Sequence, residues 1–436
     1  MNIKAIIDES PMSRYQVGCV AICVAINMLD GFDVLVMAFT APSVSAEWGL
    51  KGAQLGYLLS AGLFGMAGGS FFLAPWADRF GRRALILLCL ALLTVGMLLS
   101  FGAQDAWQLG AWRVLTGIGI GGMLASLAVI SGEYSSSKWR STSISLQVVG
   151  YPIGATVGGA IAAVLIANYG WRSAFLFGAL ASLAMIPLVL WRLPESLEFL
   201  LTRRPQNALR RLNTLLTSMG HAALRELPDA AEAEQQFVRG NPVRKLFAPG
   251  VARSTLLIGA AFFFLMFAFY FVMSWTPKLL VAAGMSTQQG VTGGVLLNLG
   301  GIFGGALFGY LASRINVRWL TASYMLISSA ALILFGWFAS DLSMAFGIAL
   351  FIGAFILGSF SGLYSLAAAL YPIAIRTTGV GWAIGIGRFG AIIAPAIVGY
   401  MVDGGWKTSN LFYVMAIPLV AAMLTVLRLR DPRAPA

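Results

Sequence analysis

The sequence predicts an all-α membrane protein of twelve transmembrane helices, built as two six-helix halves that repeat one another. Three observations carry that prediction: long apolar blocks, a one-sided distribution of basic residues, and an internal repeat. Of 436 residues, 58% are hydrophobic and 11% charged, with a mean hydropathy of +0.82, whereas soluble globular proteins carry about 25% charged residues. The apolar residues fall into blocks of about 20 or more, long enough to span a bilayer as helices. A β-barrel is excluded, because its strands would alternate apolar and polar over about ten residues.

Taken in order, spans are expected at 17–42, 54–75, 84–103, 109–132, 142–167 and 172–192, then at 253–279, 291–312, 319–340, 343–369, 377–402 and 408–428. The first block is too long for a signal peptide and lacks an A-x-A-like cleavage site, so it reads as a retained helix. Residues 193–252 are rich in Arg, Glu, Ala and Pro. They divide the chain into an N-terminal bundle (1–192), a central loop (193–252) and a C-terminal bundle (253–436). LEFLLTRRPQNALRRLNTLL within that loop has helical spacing and a basic face, the pattern of a short helix lying on the cytoplasmic leaflet.

The net charge of +12 is topological rather than a sign of nucleic-acid binding. With the N-terminus in the cytoplasm and alternating helices, Lys51, Arg172, Lys278 and Lys407 lie outside and Arg113 and Arg388 lie within spans. The remaining 23 of the 29 Lys and Arg residues fall at the cytoplasmic face. That is the positive-inside rule, and it places a multi-pass chain in the cytoplasmic (inner) membrane with both termini inside. Cys19, Cys23 and Cys89 all sit in spans, so no disulfide framework is implied. The single histidine, His221, is in the central loop, which excludes a buried histidine relay. No metal cluster, P-loop or nucleophile–base arrangement is present, and this argues against an enzyme.

The halves repeat at an offset of 235. Gly65 and Gly69 align with Gly300 and Gly304, and APWADRFGRR (74–83) aligns with GYLASRINVR (309–318). Arg79 matches Arg314 and Arg83 matches Arg318, while Asp78 becomes Ser313. Near the same offset WRSTS (139–143) meets IRTTG (375–379). Duplicated six-helix halves with a site between them are a transporter architecture.

Four formal charges lie well inside the spans: Asp30, Asp33, Arg113 and Arg388. They sum to zero, as compensation requires, because each charge at the bilayer centre costs roughly 2.5–3.5 kcal/mol on insertion scales. Asp30 is ~20 Å along span 1, past its middle, and Asp33 follows one turn later on the same side. Gly31 between them admits a neighbouring helix or a ligand. Such acids can exchange a proton; the alternative is a permanent Asp–Arg113 salt bridge that locks span 1 to span 4. Arg388, twelve residues beyond Arg376, can hold a carboxylate bidentately. The corresponding stretch of span 7, FFFLMFAFYFVMSW (262–275), has no acid for it, and that vacancy suits an anionic substrate. Tyr151, Tyr270, Trp275, Tyr364 and Trp382 are candidates to stack a planar ring. Asn27, Gln147 and Asn298 are the polar neighbours able to orient it. Bundle packing is the alternative for each of these.

The loop ADRFGRR (77–83), its faded copy after span 8, RVLTGIGIGG (113–122) and LPESLEFLLTRRP (193–205) resemble the major facilitator superfamily over nearly the whole chain. DGFD (30–33), helped by IRTTGVGWAIGIGRFGA (375–391), resembles its aromatic acid:proton symporters, which take up benzoate-like and hydroxycinnamate-like anions. The resemblance implies that Arg388 is needed for transport. It also implies that Asp78, Arg79, Gly81, Arg82 and Arg83 form a conformational latch, with Glu133, Arg140, Arg314 and Arg376 in the same gate. Asp78 is expected to cap span 3 or to pair with a base such as Arg140. The leading glycine is Ala74 here and the second copy has lost its acid, so the latch is expected to work mainly from the first half. GIGIGG (117–122) is not a dinucleotide site, since it lies within a span rather than between strand and helix. Its glycines, like Gly150, Gly154 and Gly158, are expected to let helices pack closely. GATVGG (154–159) has Ala155 where the antiport motif of drug exporters has proline, which points towards symport.

The expectation is therefore uptake of a small aromatic carboxylate with protons by a lipid-embedded monomer. It needs no cofactor, because the proton gradient supplies the energy. The alternatives are the same fold carrying a sugar, another organic anion or an exported drug, or a transporter-like sensor or chemoreceptor. A sensor needs a signalling partner, and the central loop is too short for an independent domain.

Overall fold

In hydrocarbon every backbone N–H and C=O must be satisfied within its own segment, and each apolar block does so as a helix. The computed structural model describes residues 3–227, 246–249, 251–339, 341–371 and 375–429, without the side chains of 3–5, 78, 141, 376 and 377. Among these residues twelve helices are long and apolar enough to cross a membrane. They are α1 (Arg14–Trp48), α2 (Gly52–Trp76), α3 (Arg82–Phe101), α4 (Ala106–Glu133), α5 (Ser137–Tyr169), α6 (Arg172–Arg192), α7 (Ala252–Ala282), α8 (Thr287–Ala312), α9 (Val317–Phe338), α10 (Leu342–Leu370), α11 (Arg376–Asp403) and α12 (Thr408–Leu427). Short helices Ile3–Glu9, Leu197–Arg203 and Ala208–Ser218 lie outside them.

Each expected block becomes one helix, but several helices overrun their apolar limits. Ser13 caps α1 through a reciprocal pair with Gln16, and the helix continues through Pro42 to Gly49, whose φ of 60° ends it. Asp30 therefore sits near the centre of α1 rather than past it. In α2 the ladder loosens into a π-turn at Gly69–Leu73 and a 3-10 turn at Ala74–Trp76. Pro75 lies in that turn and has no N–H to donate.

Glycines set how closely the helices approach. A Cβ on Gly65 or Gly69 would lie 2.2 or 2.1 Å from the carbonyl oxygens of Val114 and Ile118, on α4. A Cβ on their counterparts Gly300 and Gly304 would lie 1.9 Å from the carbonyl oxygens of Leu350 and Ala354, on α10. The repeat in the sequence is thus a repeat of one contact, α2 on α4 and α8 on α10. Gly117 and Gly121 close the α4 side of that seam against the carbonyls of Gly62 and Met66. Gly150, Gly154 and Gly158 do the same between α5 and α1, at Val24, Met28 and Phe32.

The halves meet along α1–α7, α2–α11 and α5–α8. The N–H groups of Gly52 and Ala53 at the start of α2 donate to the two carboxylate oxygens of Asp403 at 2.6 and 2.8 Å. Tyr57 and Tyr400 share a hydroxyl–hydroxyl bond, and Ser60 Oγ donates to the Ile392 carbonyl at 2.7 Å. Lys278 Nζ donates to Ser45 Oγ at 3.1 Å. Among the described residues, every hydrogen bond between the halves lies towards the face opposite the chain termini.

Gly154→Val should lower the yield of monodisperse protein and its melting temperature, because the Cβ would fall 1.9 Å from the Met28 carbonyl. Gly18→Ala, with nothing within 4 Å, should leave both unchanged. Thermal unfolding of the detergent-solubilised variants checks the contrast.

Candidate transport site

The close α1–α5 seam places the two acids. Gly31 lies against the backbone of Tyr151, where a Cβ would come within 2.0 Å of the carbonyl oxygen. On either side of it, Asp30 is 0% and Asp33 1% exposed. Arg113 of α4 answers Asp33: Nη1 donates to Oδ1 at 2.7 Å, and Nη2 donates to the Asp33 carbonyl at 2.6 Å and to Oδ2 at 3.3 Å. The Phe175 ring covers the guanidinium, 6.0 Å from its central carbon. Asp30 has no such answer. Neither of its oxygens has a hydrogen-bond partner among the described residues. The pair is therefore two different sites, one locked and one open.

From Asp30 a chain of tyrosines crosses to the other half. Tyr151 lies within electrostatic reach of Asp30, Asp33 and Tyr270, and its buried hydroxyl has no partner. Tyr270 of α7 lies within reach of Arg388 of α11, and Tyr364 of α10 within reach of both. Arg388 is half-buried, and among the described residues no carboxylate pairs with it. Tyr364 is 41% exposed although it adjoins Tyr270 and Arg388, so it opens on space between helices. Edge-to-face rings surround these tyrosines: Phe262 on Tyr364 at 5.4 Å, and Phe269 on Tyr270 and Phe360 at 5.0 and 5.1 Å. The arrangement offers an uncompensated cation, unpaired phenol and flat apolar faces. It can accept a planar anion.

Other expected pocket residues are placed in packing seams. Trp275 is 1% exposed, and its indole N–H donates to the Pro395 carbonyl at 3.1 Å, tying α7 to α11. Trp382 fills the space over Gly259 and meets Phe247 edge-on. Asn27 Nδ2 donates to the Gln147 carbonyl at 2.7 Å, a tie between α1 and α5, and Gln147 is itself buried. Asn298 Nδ2 donates to the Gly294 carbonyl of its own helix at 3.0 Å. Trp275 and Asn27 are thereby tied into the bundles, while the Oδ1 atoms of Asn27 and Asn298 are buried with no hydrogen-bond partner among the described residues.

At the terminal face, Arg82 pairs with Glu133 at 2.6 Å and with Glu198 at 2.9 Å, and also donates to Ser196. Glu133 further accepts from Ser196 Oγ at 2.9 Å and from the Leu197 N–H at 2.8 Å. Glu195 accepts from the Arg83 N–H at 3.0 Å. Gly81 has a φ of 101°, and a Cβ there would lie 2.4 Å from Glu195 Oε2, so both backbone and space demand glycine. Arg140 is taken by Asp8 and by the Gly132 carbonyl; the side chains of Asp78 and Arg376 lie outside the described residues. Arg79 and Arg314 are exposed and lie over Phe80 and Tyr310. Sequence reasoning missed Asp8, Glu195, Ser196 and Glu198. The signal was available in LPESLE, a pair of acids three apart following a span that ends beside the basic 79–83 loop.

The family model of the major facilitator superfamily matches residues 20–338 and 294–436. The chain belongs to the major facilitator superfamily. It is 32% identical to the gallate transporter of Pseudomonas putida over 435 residues, covering 98% of this chain and 94% of that one. It is 31% identical to the 4-hydroxybenzoate transporter PcaK of Pseudomonas aeruginosa over 428 residues, covering 98% and 95%. The inward-open structure of the xylose transporter XylE from E. coli superposes with a TM-score of 0.75 at 16% identity, covering 95% of this chain and 96% of that one. This major facilitator chain is a multi-pass membrane transporter, not an enzyme, and its named relatives are aromatic-acid carriers.

Gly81→Ala should cost about 1–3 kcal/mol through backbone strain and the clash with Glu195. Gly220→Ala, with a φ of 89° but nothing within 4 Å, carries the strain alone. Comparing the two melting curves separates the contributions, and a larger loss is expected for Gly81.

Proposed function

We propose that this major facilitator carries a small aromatic carboxylate inward together with protons, by alternating access. The observation that carries the reading is the contrast within one site: Asp33 is bonded to Arg113, Asp30 has no partner, and Arg388 has no acid. An isolated carboxylate in a dry site is very costly, whereas a neutral carboxyl costs far less. Asp30 is thus suited to hold a proton whenever it is sealed, and to lose it when water or a partner reaches it. Asp33 has its charge compensated throughout by Arg113 and keeps α1 registered on α4. The anion's carboxylate would sit on Arg388, with its ring among Tyr151, Tyr270 and Tyr364.

The bonds between the halves close one face, and the terminal face has none among the described residues. The basic excess supports a cytoplasmic terminal face in an inner membrane, and in this reading the arrangement is the inward-facing member of the cycle. The relatives' substrates, gallate and 4-hydroxybenzoate, are planar carboxylates of a size that one guanidinium and three phenols can hold. In this reading the protein acts as a monomer, and the proton gradient is the energy source.

Asp30→Asn should abolish accumulation driven by a pH gradient in proteoliposomes while counterflow of labelled substrate persists. Loss of both would make Asp30 a binding or folding residue instead. Arg388→Ala should weaken an aromatic acid by about 10- to 150-fold, the worth of a hydrogen bond to a charged group. The neutral amide of the same acid should be nearly unaffected. Equal losses for acid and amide, measured by competition in counterflow, would remove the carboxylate role.

A further inference from the structure

Lys278 sits one turn from the end of α7, on the seam between the halves at the face opposite the termini. Pro277 before it packs into α8, where Gly290 and Gly294 lie against it, and Leu279 and Leu280 after it are buried. Lys278 itself is half-buried and faces α1, with Ser45 Oγ as its hydrogen-bond partner at 3.1 Å. An ammonium has three donors and a full charge, and a hydroxyl compensates only a fraction of that charge.

The acids at this face are all engaged elsewhere. Glu47, two residues from Ser45, is bonded to the Trp171 indole at 2.6 Å and to Arg172 at 2.7 Å. Asp403 is held by the first N–H groups of α2. Asp105 and Asp341 cap α4 and α10 through the N–H groups of Gln108 and Met344. Lys278 is therefore a cation held at the closed mouth by a neutral, weak partner.

We propose that Lys278 is the outer recruitment residue for the transported anion: when the halves part at this face, its ammonium leaves Ser45, takes the incoming carboxylate and passes it down α7 towards Arg388. This rests on the uptake of an anionic substrate proposed above. Tyr270 is eight residues deeper on the same helix, ~12 Å at 1.5 Å per residue. A carboxylate held at Lys278 cannot also reach the level of Tyr270, beside which Arg388 lies, so the two cations act in sequence. Lys278 sets the rate of capture and Arg388 sets the affinity of the seated anion. Recruitment by an exposed charge is screened by salt, while a buried pairing is screened much less.

The test measures initial uptake of benzoate, 4-hydroxybenzoate and gallate in proteoliposomes at low and high external ionic strength. For the wild type, KM should rise with salt. Lys278→Met should raise KM at low salt by about ten-fold, the lower end of electrostatic steering, and abolish its salt dependence. The maximal rate should change little. Lys278→Arg should restore the wild-type pattern, and Ser45→Ala, which removes the partner but keeps the charge, should retain the salt dependence. A Lys278→Met protein with wild-type KM and salt dependence overturns the proposal, as does one that loses maximal rate at unchanged KM, which would make the lysine a latch. A wild type inert towards all three acids overturns the carboxylate reading and takes this inference with it.

Discussion

A charge placed in hydrocarbon must be met by an opposite charge or be neutral, and the interior of this protein is arranged around that constraint. Asp33 and Arg113 satisfy it by pairing: both are almost fully buried, joined at 2.7 Å, and the guanidinium also reaches the Asp33 backbone carbonyl. Removing one partner of such a pair strands the other at a cost of about 3–5 kcal/mol. The pair therefore behaves as part of the scaffold. What remains, Asp30 in one half and Arg388 in the other, is the part of the charge set left without a fixed partner. A transport cycle has something to work with because these two are unmatched.

The sequence made most of the framework legible, for a physical reason. Spanning length, the bias of basic residues and the offset of 235 are all properties of the chain in one dimension, and the lipid imposes them span by span. Gly117, Gly121 and Gly154 could be read as closely packed because only a missing side chain permits carbonyl contact, and the contacts at 1.9–2.1 Å to a would-be Cβ bear this out. The polar pocket was less legible. Trp275 and Asn27 sit at the right depth, yet depth does not fix rotation about the helix axis. Their hydrogen bonds to Pro395 and Gln147 turn them into the bundles. The partners of the 79–83 loop were hidden differently. Glu195 and Glu198 lie more than a hundred residues away in sequence, and only the return of α6 to the same face brings them to Arg82 and Arg83.

The two faces are held by different kinds of interaction, and the difference follows from what each must do. At the terminal face, Arg82, Glu133 and Glu198 form a charged network with Ser196, and Arg83 is drawn to Glu195. All of it lies within the first half and its trailing segment. It stiffens that half as a body without tying it to the other. A rigid half is what the proposed alternating access would require, because strain that dissipated inside a bundle would not be transmitted across the site.

The opposite face joins the halves with weaker material. An Asp403 carboxylate on two backbone N–H groups, a tyrosine pair, a serine on a carbonyl and a lysine on a serine are each bonds of modest net worth, about 0.5–1.5 kcal/mol for a typical neutral hydrogen bond and about 1.5–3 kcal/mol where one partner is charged. Every group involved can find water once the halves separate, so opening exchanges one set of hydrogen bonds for another. Between these bonds, Gly52 and Gly399 allow backbone-to-backbone contact, where a Cβ on either would lie 2.5 or 2.4 Å from the other's carbonyl oxygen. That contact excludes water while the face is closed and leaves no polar group stranded when it opens. A buried inter-half salt bridge would have closed the face more tightly, but its rupture on each turnover would have left a charge to be resolvated. In the proposed cycle, weak hydrogen bonds over a glycine seam would let the occupancy of Asp30 and Arg388 decide between the two conformations.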